Sequence, residues 1–373
     1  ALERIPKKER GWVWHHLERM TDMSERRGRA HDAHFKLAVT PDGKSMITSD
    51  GAGLCYRIEV DSGAKNRLDV PSFAEPGISP DGRLLVGGIK ANGDRQAGEI
   101  FVFDLEKERI THRFAAGACT RSPAFGARGA SVLALSDHGE LAIWALEAGG
   151  AAKPVRRWHA HELKRPGRPA LLFRDKKRTE FFTVARTREI KLWKIDGTLR
   201  YTIRNRHAPI VAMSVTRDES KLLLAHSSFF TTARRRITAW NCADGGTVWS
   251  WRPGIRTGVL DIDPGGRYFA SGNRSLEITE LATRDIARRL FGHADGVTDV
   301  RWLPDGRLLS TDRSGMYRVW RLGHLPHATV YAAHASSVTA LAVLPDGRHV
   351  VSGSSTGAVA IGDTESLQVQ REA

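Results

Sequence analysis

The sequence has few cysteines and no long apolar run, and both absences narrow the class of protein. Three of its 373 residues are cysteines, and Cys55, Cys119 and Cys242 have no paired spacing. We therefore expect neither a disulfide framework nor a zinc site, which fits a reducing compartment. No stretch approaches the roughly 20 apolar residues of a membrane-spanning helix, and no signal peptide is recognisable.

Acidic residues are too few to balance the basic ones, and the imbalance is local. The formal net charge is +15. Residues 153–256 hold 24 Lys and Arg against 8 Asp and Glu, so the rest of the chain is close to neutral. Such a concentration indicates an anionic partner, although an arginine-rich composition without a function explains it equally well.

What the sequence does contain is a repeated turn. Pro-Asp-Gly occurs at 41–43, 80–82, 304–306 and 345–347, with Pro264-Gly265-Gly266 as a close variant. Proline presets φ at the first turn position, aspartate bonds its own backbone and glycine supplies positive φ. Weaker copies lie near 126–129, 174–176 and 217–219. Alternating apolar residues flank the turns and predict antiparallel strands joined by hairpins.

The turns recur about every 43 residues, the spacing of four-stranded propeller blades. Residues 292–320 are the clearest copy, and four copies end their third strand in Trp144, Trp193, Trp240 or Trp320. This order of pieces resembles a WD-repeat (WD40) β-propeller. The resemblance implies an all-β fold with one propeller over residues 29–373, with eight blades favoured over seven. An outer strand from residues 20–27 or from 368–371 would close the ring, and we favour the N-terminal one because an open ring leaves unpaired edges.

Residues 1–28 lie outside the repeats and are predicted to form a short helical or irregular segment. Residues 6–17, PKKERGWVWHHL, are similar to the segment that precedes the propeller in bacterial membrane-anchored serine/threonine kinases carrying WD repeats. No kinase motif occurs in this chain. The resemblance implies the non-catalytic sensory or docking part of a larger protein. A cytoplasmic location is favoured, or an extracytoplasmic one if the chain is the sensor of such a kinase.

WD repeats link their strands through a buried His, Ser or Thr, Asp and Trp, and this sequence matches that set only in part. His293 and Trp320 fit the outer members, but Ser314 stands at the offset of the aspartate. In another repeat His207 and Trp240 fit the outer members, and Arg234 stands at the offset of the aspartate. At the offset from His334 where a WD repeat has its tryptophan, this sequence has Gly362. We expect these networks to be structural and incomplete.

Other patterns predict no catalytic, cofactor or metal site. Residues 353–357 fit Gly-x-Ser-x-Gly, but a nucleophile elbow needs a strand-to-helix turn and this string is predicted between two strands. His159 with His161, and His15 with His16, lack further ligands. An enzyme with a site in the central funnel would have to use scattered residues such as Asp261, Asp299 and Arg301.

The candidate site is a set of loops. Two insertions, at 90–99 and 227–236, lie between second and third strands, and a long connection at 159–169 lies between two blades. The resemblance implies that both kinds of loop emerge on the same face of the propeller. That face gathers basic residues around two phenylalanines, a composition typical of binding surfaces. The candidate partner-binding residues are Lys164, Arg165, Arg168, Arg186, Arg188, Arg206, Phe229, Phe230, Arg234, Arg235, Arg236 and Arg256. The sequence thus predicts a non-enzymatic module that docks an acidic protein or peptide. The alternative is binding of nucleic acid or another polyanion by the basic face of blades 4–6.

Overall fold

A computed structural model gives the fold for most of the chain. It describes residues 24–32, 36–49, 54–71, 73, 76–89, 98–116, 120–147, 153–163, 170–184, 189–205, 207, 209–226, 235–322, 338–343, 349–354, 356, 358–363 and 369–372. These residues form eight four-stranded antiparallel sheets, and the helical structure among them is one short 3-10 turn, Ala127–Gly129.

The first strand of the chain and the first three blades follow in order. Strand β1 is Arg26–Arg29. Blade 1 contains β2 (Lys36–Val39), β3 (Ser45–Ser49), β4 (Cys55–Glu59) and β5 (Lys65–Arg67). Blade 2 contains β6 (Pro76–Ile78), β7 (Leu84–Ile89), β8 (Glu99–Asp104) and β9 (Arg109–Ala115). Blade 3 contains β10 (Thr120–Phe125), β11 (Ser131–Ser136), β12 (Glu140–Ala145) and β13 (Arg156–His159).

The next four blades complete the ring. Blade 4 contains β14 (Ala170–Phe173), β15 (Glu180–Val184), β16 (Glu189–Lys194) and β17 (Leu199–Arg204). Blade 5 contains β18 (Ile210–Val215), β19 (Lys221–His226), β20 (Arg236–Asn241) and β21 (Thr247–Trp251). Blade 6 contains β22 (Val259–Ile262), β23 (Tyr268–Gly272), β24 (Leu276–Glu280) and β25 (Ile286–Leu290). Blade 7 contains β26 (Val297–Trp302), β27 (Leu308–Asp312) and β28 (Met316–Trp320), and β1 is its fourth strand.

The core is divided among the contacts between neighbouring blades. In β19, Leu222 and Leu224 pack against blade 4, whereas Leu223 and Ala225 pack against blade 6. Because successive side chains of a strand point to opposite faces, an apolar run such as Leu222–Ala225 fills both contacts at once. This is why the middle strands are apolar throughout rather than alternating.

The ring closes between blade 7 and blade 1. Met46 of β3 belongs to the same buried cluster as Leu309 of β27 and Val319 of β28. The pairing of β1 with β28 joins the two ends of the ring, since β1 immediately precedes blade 1 in the chain.

The expectation of eight blades was therefore wrong, and the alternative of seven is correct. The repeat count found every four-stranded unit but could not tell which units pack together. The N-terminal strand does complete the last blade of the ring, but that blade is the seventh and the strand is Arg26–Arg29.

The eighth sheet belongs to a second compact unit, His324–Ala373. It contains β29 (Val338–Val343), β30 (His349–Ser354), β31 (Val359–Asp363) and β32 (Val369–Glu372), paired in that order. Its outer strand comes from its own sequence, so it needs no strand from the N-terminus.

Candidate functional site

Blade 7 contains a complete buried network of four side chains. His293 Nδ1 lies 2.7 Å from Asp312 Oδ2, and His293 Nε2 lies 2.6 Å from Ser310 Oγ. Trp320 Nε1 donates to the same hydroxyl at 2.8 Å. An ionised carboxylate only accepts, so Nδ1 carries the imidazole hydrogen and Nε2 accepts from Ser310. Burial opposes ionisation of Asp312, but the hydrogen bonds from His293 and Ser314 lower its pKa.

The prediction that this network lacks its aspartate was wrong. Ser314 is not the fourth member; its hydroxyl donates to Asp312 Oδ1 at 2.6 Å. The carboxylate comes from the last residue of β27, two positions earlier than the family offset suggests. It also accepts the backbone N–H of Ser314 and of Met316, and so fixes the turn between β27 and β28.

Blade 5 has a shorter version, with a histidine that the sequence offset did not indicate. Thr238 Oγ1 lies 2.9 Å from His226 Nε2 and accepts from Trp240 Nε1 at 2.8 Å. The predicted partner, His207, instead stacks edge-on against His226, with ring centroids 5.5 Å apart. Arg234 and His334 lie outside the described residues.

Blade 4 takes its histidine, hydroxyl and tryptophan from the same elements as blade 7: the connection before the blade, the second strand and the third strand. Thr183 Oγ1 lies 2.9 Å from His161 Nε2 and accepts from Trp193 Nε1 at 2.9 Å. Burial, with the charge of Lys191, lowers the pKa of His161 to about 4, so the ring is neutral near pH 7. These histidines hold the strands and connections in place, as expected for a structural role.

The loops between blades and the turns between second and third strands share one face, called here the upper face. Antiparallel topology requires this, and backbone hydrogen bonds join the two kinds of loop. Ala160 N donates to Gly139 O at 2.9 Å, and Arg313 N donates to Gly296 O at 3.0 Å. The remaining described turns of the ring, including the Pro-Asp-Gly turns at 41–43, 80–82 and 304–306, form the lower face.

The charges of the upper face are segregated. In blades 5–7 its described loops carry five arginines, called here the basic arc, with Asp295 as the single acidic residue. In the described loops from residue 30 to 163 they carry four acidic residues, the acidic arc, and no Lys or Arg. The basic arc is Arg235, Arg252, Arg256, Arg274 and Arg313. The acidic arc is Asp32, Asp69, Asp137 and Glu162.

Three arginines of the basic arc have no described carboxylate partner, whereas several arginines on the outer strands do. Arg113 pairs with Glu99 at 2.8 Å, and Arg289 pairs with Glu277 at 3.0 Å. Among the described residues no carboxylate pairs with Arg252, Arg274 or Arg313, and all three are exposed. Arg113 and Arg289 are thus neutralised within the protein, whereas the charges of Arg252, Arg274 and Arg313 are available to a partner.

The family comparison agrees with this architecture. A model described as WD domain, G-beta repeat matches residues 285–321 and 326–361. The first match covers the outer strand of blade 6 and three strands of blade 7, the blade that has the complete network. The chain thus carries WD40 repeats within residues 285–361, and its described strands from Arg26 to Trp320 form a seven-bladed β-propeller.

The predicted site residues are only partly within the described structure. Arg235 and Arg236 are half-buried at the start of β20, and Arg236 Nη1 donates to Ser250 Oγ at 2.5 Å. Arg256 lies in the loop between blades 5 and 6. The remaining candidates lie outside the described residues: Lys164, Arg165, Arg168, Arg186, Arg188, Arg206, Phe229, Phe230 and Arg234.

Arg274, Arg313 and Phe291 lie on this face, and none of them was among the predicted site residues. Arg274 and Arg313 stand in short turns between second and third strands, and Phe291, in the loop between blades 6 and 7, is 48% exposed. The candidate site residues were chosen from the sequence by long insertions and by clusters of basic residues. The position of single arginines relative to each Pro-Asp-Gly turn would have found the first two.

The other patterns of the WD40 chain have structural explanations where they are described. Gly353 and Ser354 end β30, and the next element is the strand β31, so the Gly-x-Ser-x-Gly string has no helix after it. His159 lies in β13 and His161 in the blade 4 network. Within the described part of the chain no group of three His, Cys, Asp or Glu is placed to hold a metal ion.

The funnel residues are also engaged in structure. Asp261 Oδ1 accepts from Ser214 Oγ at 3.1 Å and its Oδ2 from Trp302 N at 2.8 Å, joining the first strands of three blades. Burial raises the pKa of Asp261. Asp299 pairs with Arg301 at 2.9 Å. Among the described residues no helix is long and apolar enough to cross a membrane.

Proposed function

We propose that this propeller is a non-enzymatic docking module that binds a protein or peptide partner on its basic upper face. The observation that carries the proposal is that Arg252, Arg274 and Arg313 of the basic arc are exposed and have no carboxylate partner among the described residues. WD40 propellers commonly mediate protein–protein interactions, and the upper loops stand on a rigid ring, which suits docking. An acidic partner follows from charge complementarity.

A charge-reversal experiment tests the docking face. Arg235→Glu combined with Arg252→Glu changes two upper-face residues, and Arg67→Glu combined with Arg109→Glu is the matched control on exposed outer-strand arginines of blades 1 and 2. Partners captured by the wild-type protein should be lost with the first pair and kept with the second. Equal recovery with both folded variants would rule out this face as the docking site.

Nucleic-acid or polyanion binding is the second candidate, and the net charge of +15 favours it. Binding to duplex DNA releases counterions, so the logarithm of the affinity should fall by roughly 0.9 per phosphate contact for each log unit of salt. A flat salt response in a titration would reject this function.

We also propose that this chain is part of a larger protein. The resemblance of residues 6–17 to a kinase pre-propeller segment supports a regulatory role within a larger bacterial protein, although those residues lie outside the described structure. The coding sequence upstream of Ala1 tests it: a kinase domain and a membrane span there agree with the proposal, and an immediate start codon opposes it.

A further inference from the structure

We propose that Arg274 and Arg313, gathered around Asn273 on the upper face of blades 6 and 7, bind a carboxylate-rich segment of the docked partner. The inference rests on the proposed docking function and assigns it a place and a ligand chemistry. Neither arginine belongs to the set indicated by the sequence, and the place lies beyond the long insertions.

Asn273 connects the two loops that flank blade 6. A Cβ built on Gly258 would lie 3.2 Å from Asn273 Nδ2, and one built on Gly296 would lie 3.4 Å from Asn273 Oδ1. The amide therefore lies directly over two glycines, one in the loop between blades 5 and 6 and one between blades 6 and 7.

Arg313 lies over the same glycine as Asn273. Its Nε would be 3.5 Å from a Cβ on Gly296. The backbone of Arg313 is fixed because its N–H donates to Gly296 O at 3.0 Å, and Arg274 directly follows Asn273 in a tight turn. Two guanidinium groups and one amide thus project from short, hydrogen-bonded turns, so little backbone entropy is lost when they bind.

The local charge favours an anion. Both arginines are exposed and pair with no carboxylate among the described residues. The nearby Asp295 Oδ1 accepts the N–H of Gly296 at 2.5 Å, so that carboxylate is committed to the loop. A guanidinium group matches a carboxylate through two parallel hydrogen bonds.

The rest of the face favours an acidic peptide over a nucleic acid. The exposed ring of Phe291 offers apolar contact in the loop between the two blades, as in protein interfaces rich in aromatic residues and arginine. On the opposite side of the ring, the acidic arc repels a polyanion that continues across the face. A short acidic segment with an apolar residue beside it avoids this repulsion.

The experiment compares two charge-matched double variants with the wild-type propeller. Arg274→Gln with Arg313→Gln removes the proposed binding groups, and Arg67→Gln with Arg109→Gln removes two exposed outer-strand arginines that also have no described carboxylate partner. The probe is a fluorescent oligoglutamate peptide, titrated by anisotropy at low salt. All four positions are exposed, so thermal unfolding should confirm that both variants fold.

The first variant should lose about tenfold in affinity, the combined effect of two exposed ion pairs, and the second should stay within about twofold of wild type. Equal losses in both variants would mean that net charge alone attracts the peptide, and absence of wild-type binding would mean that there is no such site; either overturns the proposal. Selective loss of an oligonucleotide instead of the peptide overturns it too, in favour of a nucleic-acid ligand.

Capture of native partners separates this inference from the docking function. Suppose that Arg235→Glu with Arg252→Glu abolishes capture, whereas Arg274→Gln with Arg313→Gln leaves capture and peptide affinity unchanged. The docking function is then supported and the carboxylate site is rejected. If the peptide binds at Arg274 and Arg313 but no native partner depends on either pair, the docking function falls instead.

Discussion

The lower and upper faces of the ring use the same strands but different chemistry. On the lower face the turns are alike: in blades 1, 2 and 5 a Ser or Thr hydroxyl and a backbone N–H both bond the turn aspartate, as at Asp42, Asp81 and Asp218. On the upper face the loops differ in length and their charges are segregated. Under the proposed function, the repeated lower face maintains the ring and the divergent upper face selects the partner.

Lower turns also contact one another from blade to blade. Gly43 has φ +72°, and a Cβ placed on it would lie 2.5 Å from Pro304 Cδ. Arg307 of the Pro304 turn pairs with Asp61 at 2.6 Å. These contacts join blade 7 to blade 1, so a change in a lower turn should affect closure of the ring rather than partner binding.

The largest expected effect is on ring closure. Gly43→Ala should lower the free energy of unfolding by about 3 kcal/mol, the sum of a left-handed backbone and overpacking against proline. Urea unfolding measures it. Gly306→Ala is the matched control, because Gly306 has φ +85° but nothing within 4 Å, so it should cost about 1 kcal/mol. Equal losses would show that the Pro304 contact is not important for closure.

A second loss is expected in the upper half of blade 7. Ser310→Ala should cost about 2 kcal/mol, because His293 and Trp320 would be left buried without their shared partner. Chemical denaturation measures it, and binding by the folded variant should not change. In blade 6 the Thr279 hydroxyl is already buried without a described partner. Thr279→Val should therefore leave the stability unchanged or raise it by up to about 1 kcal/mol; a loss as large as that of Ser310→Ala would contradict this account.

A smaller, pH-dependent effect is expected at the lower turns. Burial alone would raise the pKa of Asp218, but hydrogen bonds from Thr216 and Ser220 lower it to about 2. A lowered folded-state pKa gives a contribution that is present above pH 4 and lost as the pH falls from about 4 to about 2. Asp218→Asn should make the free energy of unfolding less dependent on pH in that window. The same slope in wild type and variant would contradict the assignment.

The smallest effect on stability is expected at the basic arc. Arg274→Gln with Arg313→Gln should change the free energy of unfolding by less than about 0.5 kcal/mol, since neither side chain has a described ion pair to lose. Thermal unfolding measures it. A loss comparable to that of Gly43→Ala would mean that these arginines maintain the fold, and the distinction between the two faces would fail.

Local sequence was sufficient for much of the fold but not for its closure. The Pro-Asp-Gly turns at 41, 80 and 304 and the strands beside them are where the pattern predicted them. The number of blades depends on which unit packs against blade 1. In the structure Gly43 of blade 1 contacts Pro304 of blade 7, and no local sequence pattern specifies that contact. A four-stranded unit that can pack against any neighbouring unit has the same sequence pattern in a ring of seven blades as in a ring of eight.

The networks and the site were predictable only in part, for the same reason. Fixed offsets indicated Ser314 and His207, whereas the structure uses Asp312 and His226, because hydrogen bonding depends on register across strands and not on spacing along one. Asn273 and Arg313 come together over Gly296 only through the packing of blades 6 and 7. Net charge indicated an anionic partner but could not place it.

The central claim is that the basic arc, and not the overall positive charge, recognises the partner. The most direct measurement is the affinity of a purified native partner, once captured, for the wild-type propeller, for Arg274→Gln with Arg313→Gln, and for Arg67→Gln with Arg109→Gln. We expect about a tenfold loss with the first pair and less than about twofold with the second. Equal affinity for all three proteins would contradict the claim.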